Sequence, residues 1–304
     1  MMIRCVSLRR GTLFSVTSMC HERYSMKKSQ VFFPGNLFGA IIIALGIGVP
    51  QISLSQTWYM GEAYFESSMD EYQMGHYEEA VQGFKKFLEI APYDFNGHYL
   101  LAHSLRFLGD YDGSIEYYER ALVIKPEDFD AHIYVGILYN GKGQDVKAME
   151  HFNRALEIIP NDSDALVQIG NVYRAQKNSE EAIKQYEKAL AADPRHVEAH
   201  RCMGEVIREK GDFAGSVEWF TKALEISSDD YETHMDMGET LLTMQNLEGA
   251  IKHYTRASEI NPDNPNPFTM LGDVFKKKGD TIQAVKCFEK AKALNNDNNQ
   301  PPKN

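Results

Sequence analysis

The 304-residue chain carries 32 Lys and Arg against 43 Asp and Glu. Its opening stretch, 1–55, holds six bases (Arg4, Arg9, Arg10, Arg23, Lys27, Lys28) and one acid, Glu22, leaving a net of −16 on the remainder. So acidic a body repels phosphate backbones and argues against a nucleic-acid partner. Four cysteines (Cys5, Cys20, Cys202, Cys287) show no CxxC or other metal-ligand spacing and leave the redox compartment open.

In chain order, Lys27 and Lys28 form a positive segment, followed by an apolar run from Leu37 to Val49. Ser53 and Ser55 are small residues at −3 and −1 of a cleavage site before Gln56. This is the layout of a secretory signal peptide over residues 26–55. Retained, the wider apolar stretch 31–50 becomes an N-terminal membrane anchor, weakened by Pro34, Asn36 and its glycines. Either reading exports the body to the periplasm or the periplasmic face of a membrane. Residues 1–25 then read as an upstream extension, with translation starting at Met26. The rival reading takes residues 1–30, rich in Arg and Ser, as a mitochondrial presequence.

From Gly61 the chain repeats at a constant period without insertion, in units starting at Gly61, Phe95, Phe129, Ser163, Val197, Tyr231 and Pro265 and ending at Asn298. The eighth position is small throughout (Ser68, Ala102, Gly136, Gly170, Gly204, Gly238, Gly272), and so is the twentieth, from Ala80 to Ala284. The twenty-fourth is always aromatic: Phe84, Tyr118, Phe152, Tyr186, Phe220, Tyr254, Phe288. Small residues let the two helices of a unit approach, and a ring fills the gap between adjacent helices. The thirty-second is proline in five units, which ends a second helix. Gly75, Gly109, Gly143, Gly211 and Gly279 mark the turn between paired helices. Residues 299–304 read as a disordered tail.

These positions and their period resemble the tetratricopeptide repeat, a helix–turn–helix unit of about 34 residues. The resemblance covers about four-fifths of the chain and implies an all-α, right-handed superhelical solenoid of seven repeats over residues 56–298. It further implies that the first helices line a concave groove in which a protein or peptide segment binds. Carried over position by position, the N-terminal units offer Phe65, Met69, Tyr72, Tyr99, Phe107, Ile133 and Ile137, an apolar and aromatic patch. The later units offer Glu198, Arg201, Glu205, Arg208, Glu209, Glu232 and Glu239, mostly acidic, with Arg201–Glu205 an i,i+4 pair. Asn171 is the single asparagine at the ninth position, and no lysine stands at the fifth. The carboxylate clamp of chaperone-tail-binding relatives is therefore not assembled. The expectation is a groove whose N-terminal half grips apolar side chains and whose C-terminal half selects basic ones.

Catalytic and cofactor motifs fare worse. The run from Gly136 to Gly143 nearly matches a phosphate-binding loop, but Gly143 replaces its Ser or Thr and no strand precedes it. His98, His132, His200 and His234 share the fourth position, too far apart in neighbouring units to ligate one metal ion. They read as inter-helix packing. No catalytic residue, cofactor or metal is expected. The function expected is an adaptor that scaffolds a bacterial envelope complex. The alternatives are a mitochondrial membrane-anchored receptor or assembly factor, and a regulatory subunit of an enzyme system.

Overall fold

The computed structural model describes residues 54–298, which form fourteen helices and no strand. They run as α1 (Leu54–Met74), α2 (Tyr77–Ile90), α3 (Phe95–Phe107), α4 (Tyr111–Ile124), α5 (Phe129–Gly141), α6 (Asp145–Ile158) and α7 (Ser163–Ala175). The second half continues as α8 (Ser179–Ala192), α9 (Val197–Glu209), α10 (Phe213–Ile226), α11 (Tyr231–Thr243), α12 (Leu247–Ile260), α13 (Pro265–Lys278) and α14 (Thr281–Asn298). Odd-numbered helices are the first helices of the seven repeats and even-numbered ones the second. The readings made for residues 1–53 and for the tail 299–304 lie outside the described residues. Among the described residues no helix is long and apolar enough to cross a membrane.

Capping explains the boundaries. Asp94, Asp128, Asp162, His196 and Asp230 each precede a first helix, and their side chains accept a hydrogen bond from the backbone N–H three residues on. Asn264 accepts from Asn266. Each such cap satisfies an orphan donor and is worth about 1 kcal/mol. The matching place before the first repeat is Met60, which has no side-chain acceptor, and no proline follows it. Nothing stops the helix there, so α1 begins at Leu54, upstream of the expected Gly61.

The described residues divide into two units, with the boundary between Ala63 and Tyr64. The described part of the first is the opening of α1, where Trp58 and Tyr59 are exposed. The second holds the stack. In it each second helix packs on its own first helix, and each but the last packs on the first helix of the next repeat.

Within a repeat, the eighth position meets the twenty-fourth. A Cβ placed on Gly136, Gly170, Gly204, Gly238 or Gly272 would lie 2.4–2.6 Å from the ring of Phe152, Tyr186, Phe220, Tyr254 or Phe288 respectively. The glycines are small because the rings lie on them. Gly136 is thereby a packing residue and Gly143 a turn residue (φ 70°), which accounts for both ends of the near-match to a phosphate loop. The rings of Phe84, Phe152, Phe220, Tyr118 and Tyr186 are fully buried.

All seven turns inside a repeat place their central residue at positive φ. Five use glycine, but the fourth and sixth use Lys177 (φ 60°) and Gln245 (φ 62°). A side chain there costs about 1 kcal/mol that glycine would not. Lys177→Gly and Gln245→Gly are each expected to stabilise the array by about 0.5–1 kcal/mol, read as a higher urea midpoint.

Candidate partner-binding face

The first helices abut one another directly: α5 on α7, α7 on α9, and α9 on α11. They make one continuous face, and the residues expected to bind a partner divide along it by burial. Phe65, Tyr99 and Ile133 are buried, each less than 7% exposed. The ring of Phe65 packs 5.0 Å from Phe87, and that of Tyr99 lies 5.4 Å from Tyr118. Met69, Tyr72, Ile137 and Asn171 are half-buried. Asn171 accepts a hydrogen bond from the Tyr186 hydroxyl at 2.8 Å. Phe107 is exposed and stacks on Tyr77 of α2, centroids 4.4 Å apart and 9° between planes. Fifth-position side chains thus form the floor of this face, and Phe107 with Tyr77 forms a shelf above it.

The charged half differs more from expectation. Arg201 and Glu205 do pair at 2.9 Å, but Glu205 is 2% exposed and belongs to a ladder between helices, not to a solvated surface. Arg174 of α7 binds Glu205 of α9 and reaches Glu209 at 3.7 Å. Arg201 also meets Asp236 of α11 at 3.3 Å. Arg208 meets Asp236 at 3.4 Å and Glu239 at 2.6 Å. Three arginines therefore tie three first helices together through Asp236 and through Glu205, Glu209 and Glu239, three of the acids expected from the sequence to select a basic partner. Burial of so much charge is tolerable only because each ion is paired. Arg174 and Asp236 were missed at the sequence level. The signal lay across repeats: the twelfth position of one repeat meets the ninth of the next, as Arg174 meets Glu205 and Arg208 meets Glu239.

The fourth-position histidines lock the connections between repeats. His98, His132, His200 and His234 each donate Nε2–H to the carbonyl six residues back, on Pro92, Pro126, Pro194 and Ser228, at 2.9–3.0 Å. Their Nδ1 atoms are then acceptors. In the third and sixth repeats that atom takes a hydrogen bond at 3.0 Å from Nδ1–H of His151 and His253.

His103 sits at the centre of the aromatic floor, hydrogen-bonded to the Tyr72 hydroxyl at 3.2 Å and ringed by Tyr99, Phe107, Tyr118 and Tyr134. Burial, and secondarily the Arg106 guanidinium, push its pKa down to about 3. Burial, with His234 and Lys252 beside it, also lowers His253, to about 4. For both, the unfolded chain binds a proton below about pH 6.5 that the folded chain refuses. Their contribution is complete above pH 6.5 and declines as pH falls toward 3. At pH 5 His103 alone is expected to cost about 2 kcal/mol relative to pH 7. Urea unfolding at the two pH values, with and without His103→Gln, checks this: the variant should flatten the pH dependence.

Stacked helix pairs that recur at one period, with the same turn inside each pair, define a helical repeat protein. Tetratricopeptide-repeat family models match residues 95–128, 127–195, 167–231 and 266–298, and a TPR repeat model matches residues 238–279. The chain belongs to the tetratricopeptide-repeat family, whose members bind protein or peptide partners and are generally scaffolds and not enzymes. Among solved structures, a tetratricopeptide repeat protein from Parabacteroides merdae is 18% identical, with a TM-score of 0.63 over 78% of this chain and 93% of that one. PilF of Pseudomonas aeruginosa is 16% identical, with a TM-score of 0.53 over 68% and 94%. MamA from Desulfovibrio magneticus, residue 41 to its end, is 24% identical, with a TM-score of 0.51 over 56% and 96%. At these identities the likeness is one of fold. No curated protein matched the sequence.

Proposed function

We propose that this protein is an exported, non-enzymatic adaptor that holds a partner segment on the face built by its first helices, within a bacterial envelope complex. The observation that carries the reading is the aromatic shelf of Tyr77 and Phe107 beside the half-buried Tyr72. Rings kept at a surface where the fold does not require them are typical of protein contact sites. The net of −16 beyond residue 55 supports a protein partner over nucleic acid. Export rests on the signal-peptide or anchor pattern of residues 26–55, and the mitochondrial alternative on the Arg- and Ser-rich residues 1–30.

Tyr99 is a poor probe of this face, since its loss would open the core. Tyr77→Ser with Phe107→Ser removes the shelf and leaves the core rings in place. Recovery of crosslinked partners from the envelope fraction should drop at least fivefold with circular dichroism unchanged. Equal recovery would remove the shelf from the reading. A reporter fused to residues 1–60 tests the address: a reporter delivered to mitochondria and not to the bacterial envelope would overturn export.

A further inference from the structure

The charge ladder has a rung without its acid. Arg174 and Arg208 hold the twelfth position of the fourth and fifth repeats, and each reaches the ninth-position glutamate of the next repeat, Glu205 or Glu239. Arg106 holds the same position in the second repeat, and the ninth position of the third is Ile137. Among the described residues no carboxylate pairs with Arg106. Its Nε is buried and makes no well-formed hydrogen bond; the buried Tyr118 hydroxyl lies beside the guanidinium, and it is a neutral neighbour, not an anion. The guanidinium lies instead against two ring faces, 4.5 Å from the centroid of Phe107 and 5.3 Å from that of Tyr134.

A guanidinium partly removed from water and left without an anion is costly, and ring faces offset only part of the cost. A carboxylate arriving from outside would complete the rung that Ile137 leaves open. Arginine fits it by geometry as well as charge, because its planar fork can donate two parallel hydrogen bonds while its face stays on the rings. The neighbouring surface narrows the donor further. Phe107 and Tyr77 continue on one side and the half-buried Tyr134 lies on the other, so apolar residues fit both before and after the acid. That describes an acidic side chain within a segment. A chain terminus would leave one side empty, and the fifth-position lysines that hold a terminal carboxylate in clamp-bearing relatives are absent.

We infer that Arg106 and its surrounding rings receive an Asp or Glu side chain of the partner, flanked by apolar residues. This rests on the groove reading above. It also moves the charged contact from the C-terminal repeats, whose acids Arg174, Arg201 and Arg208 already engage, to the N-terminal ones.

The test titrates the full chain against fluorescent heptapeptide pools with blocked ends, a central Glu, Gln or Lys, and Leu, Ile, Phe and Tyr mixed at the flanks. A fourth pool has central Gln and a free C-terminal carboxylate. The Glu pool should bind at least fivefold more tightly than the Gln pool. Arg106→Gln should bring that ratio within twofold, and Arg106→Lys, which keeps the charge and loses the fork, should leave it in between. The wild-type ratio decides even if a variant folds poorly. Equal binding of the Glu and Gln pools overturns the inference and leaves the groove reading standing. Tightest binding of the free-carboxylate pool overturns the side-chain donor. No binding by any pool counts against the groove reading itself.

Discussion

Arg201→Met is expected to cost about 3 kcal/mol, because it leaves two buried carboxylates with half their compensation. Glu205 and Asp236 have side chains 3% and 4% exposed, and Arg201 stands between them at 2.9 and 3.3 Å. Removing one member of a buried ion group is far worse than never having the group, since the remaining charge cannot return to water. Arg174 still reaches Glu205 and Arg208 still reaches Asp236, so the cost falls at the lower end of the usual range. Because stacked repeats open piecewise, native-state hydrogen exchange is the right measurement. Amides of α9 and α11 should lose protection, while those of α3 and α4 hold theirs. Adding Glu205→Gln and Asp236→Asn should recover at least half of the loss. A cost below about 1 kcal/mol would mean that the ladder is solvated.

Phe220→Ala should be more damaging still, about 3–5 kcal/mol, as for other buried aromatic truncations. Phe220 is fully buried and packs in one cluster with Met237, Leu241, Ala250 and Tyr254. Its removal leaves a cavity between the fifth and sixth repeats that rigid helices cannot close. Gly204→Ala places a methyl 2.6 Å from the same ring and tests the opposite error, overpacking. The second repeat carries Ala102 at that position with Tyr118 as its ring, both fully buried, so the pair of helices can separate slightly. Gly204→Ala should therefore cost about 1–2 kcal/mol, less than Phe220→Ala. Urea denaturation of the two variants side by side checks the order. The reverse order would show that contact at the glycine, and not the bulk of the ring, dominates the unit.

Much of the molecule was legible in the chain. The repeat boundaries, the turn glycines, the small eighth positions and the aromatic twenty-fourth positions follow from one period, because every unit solves the same packing problem; the contact between the last two came from the structure. Two kinds of feature escaped that reading. One is local: α1 runs on to Leu54 because Met60 cannot cap, a fact visible only by asking what stops each helix. The other is the ladder. Reading down a column compares like positions, whereas Arg174 and Glu205 come from different columns brought together by the offset between repeats.

The same distinction separates what each level decided about the partner-binding face. The period fixed seven helix pairs, and the family resemblance that the sequence carries implied that their first helices would share a face and which side chains they carry there. Tertiary structure decided which of them a partner can meet. Stacking buried Tyr99 as floor and left Phe107 exposed. It also joined later acids to arginines and, among the described residues, left Arg106 without one. Those outcomes depend on the distance between neighbouring helices, which sets both burial and the reach of an ion pair, and no column of residues records that distance.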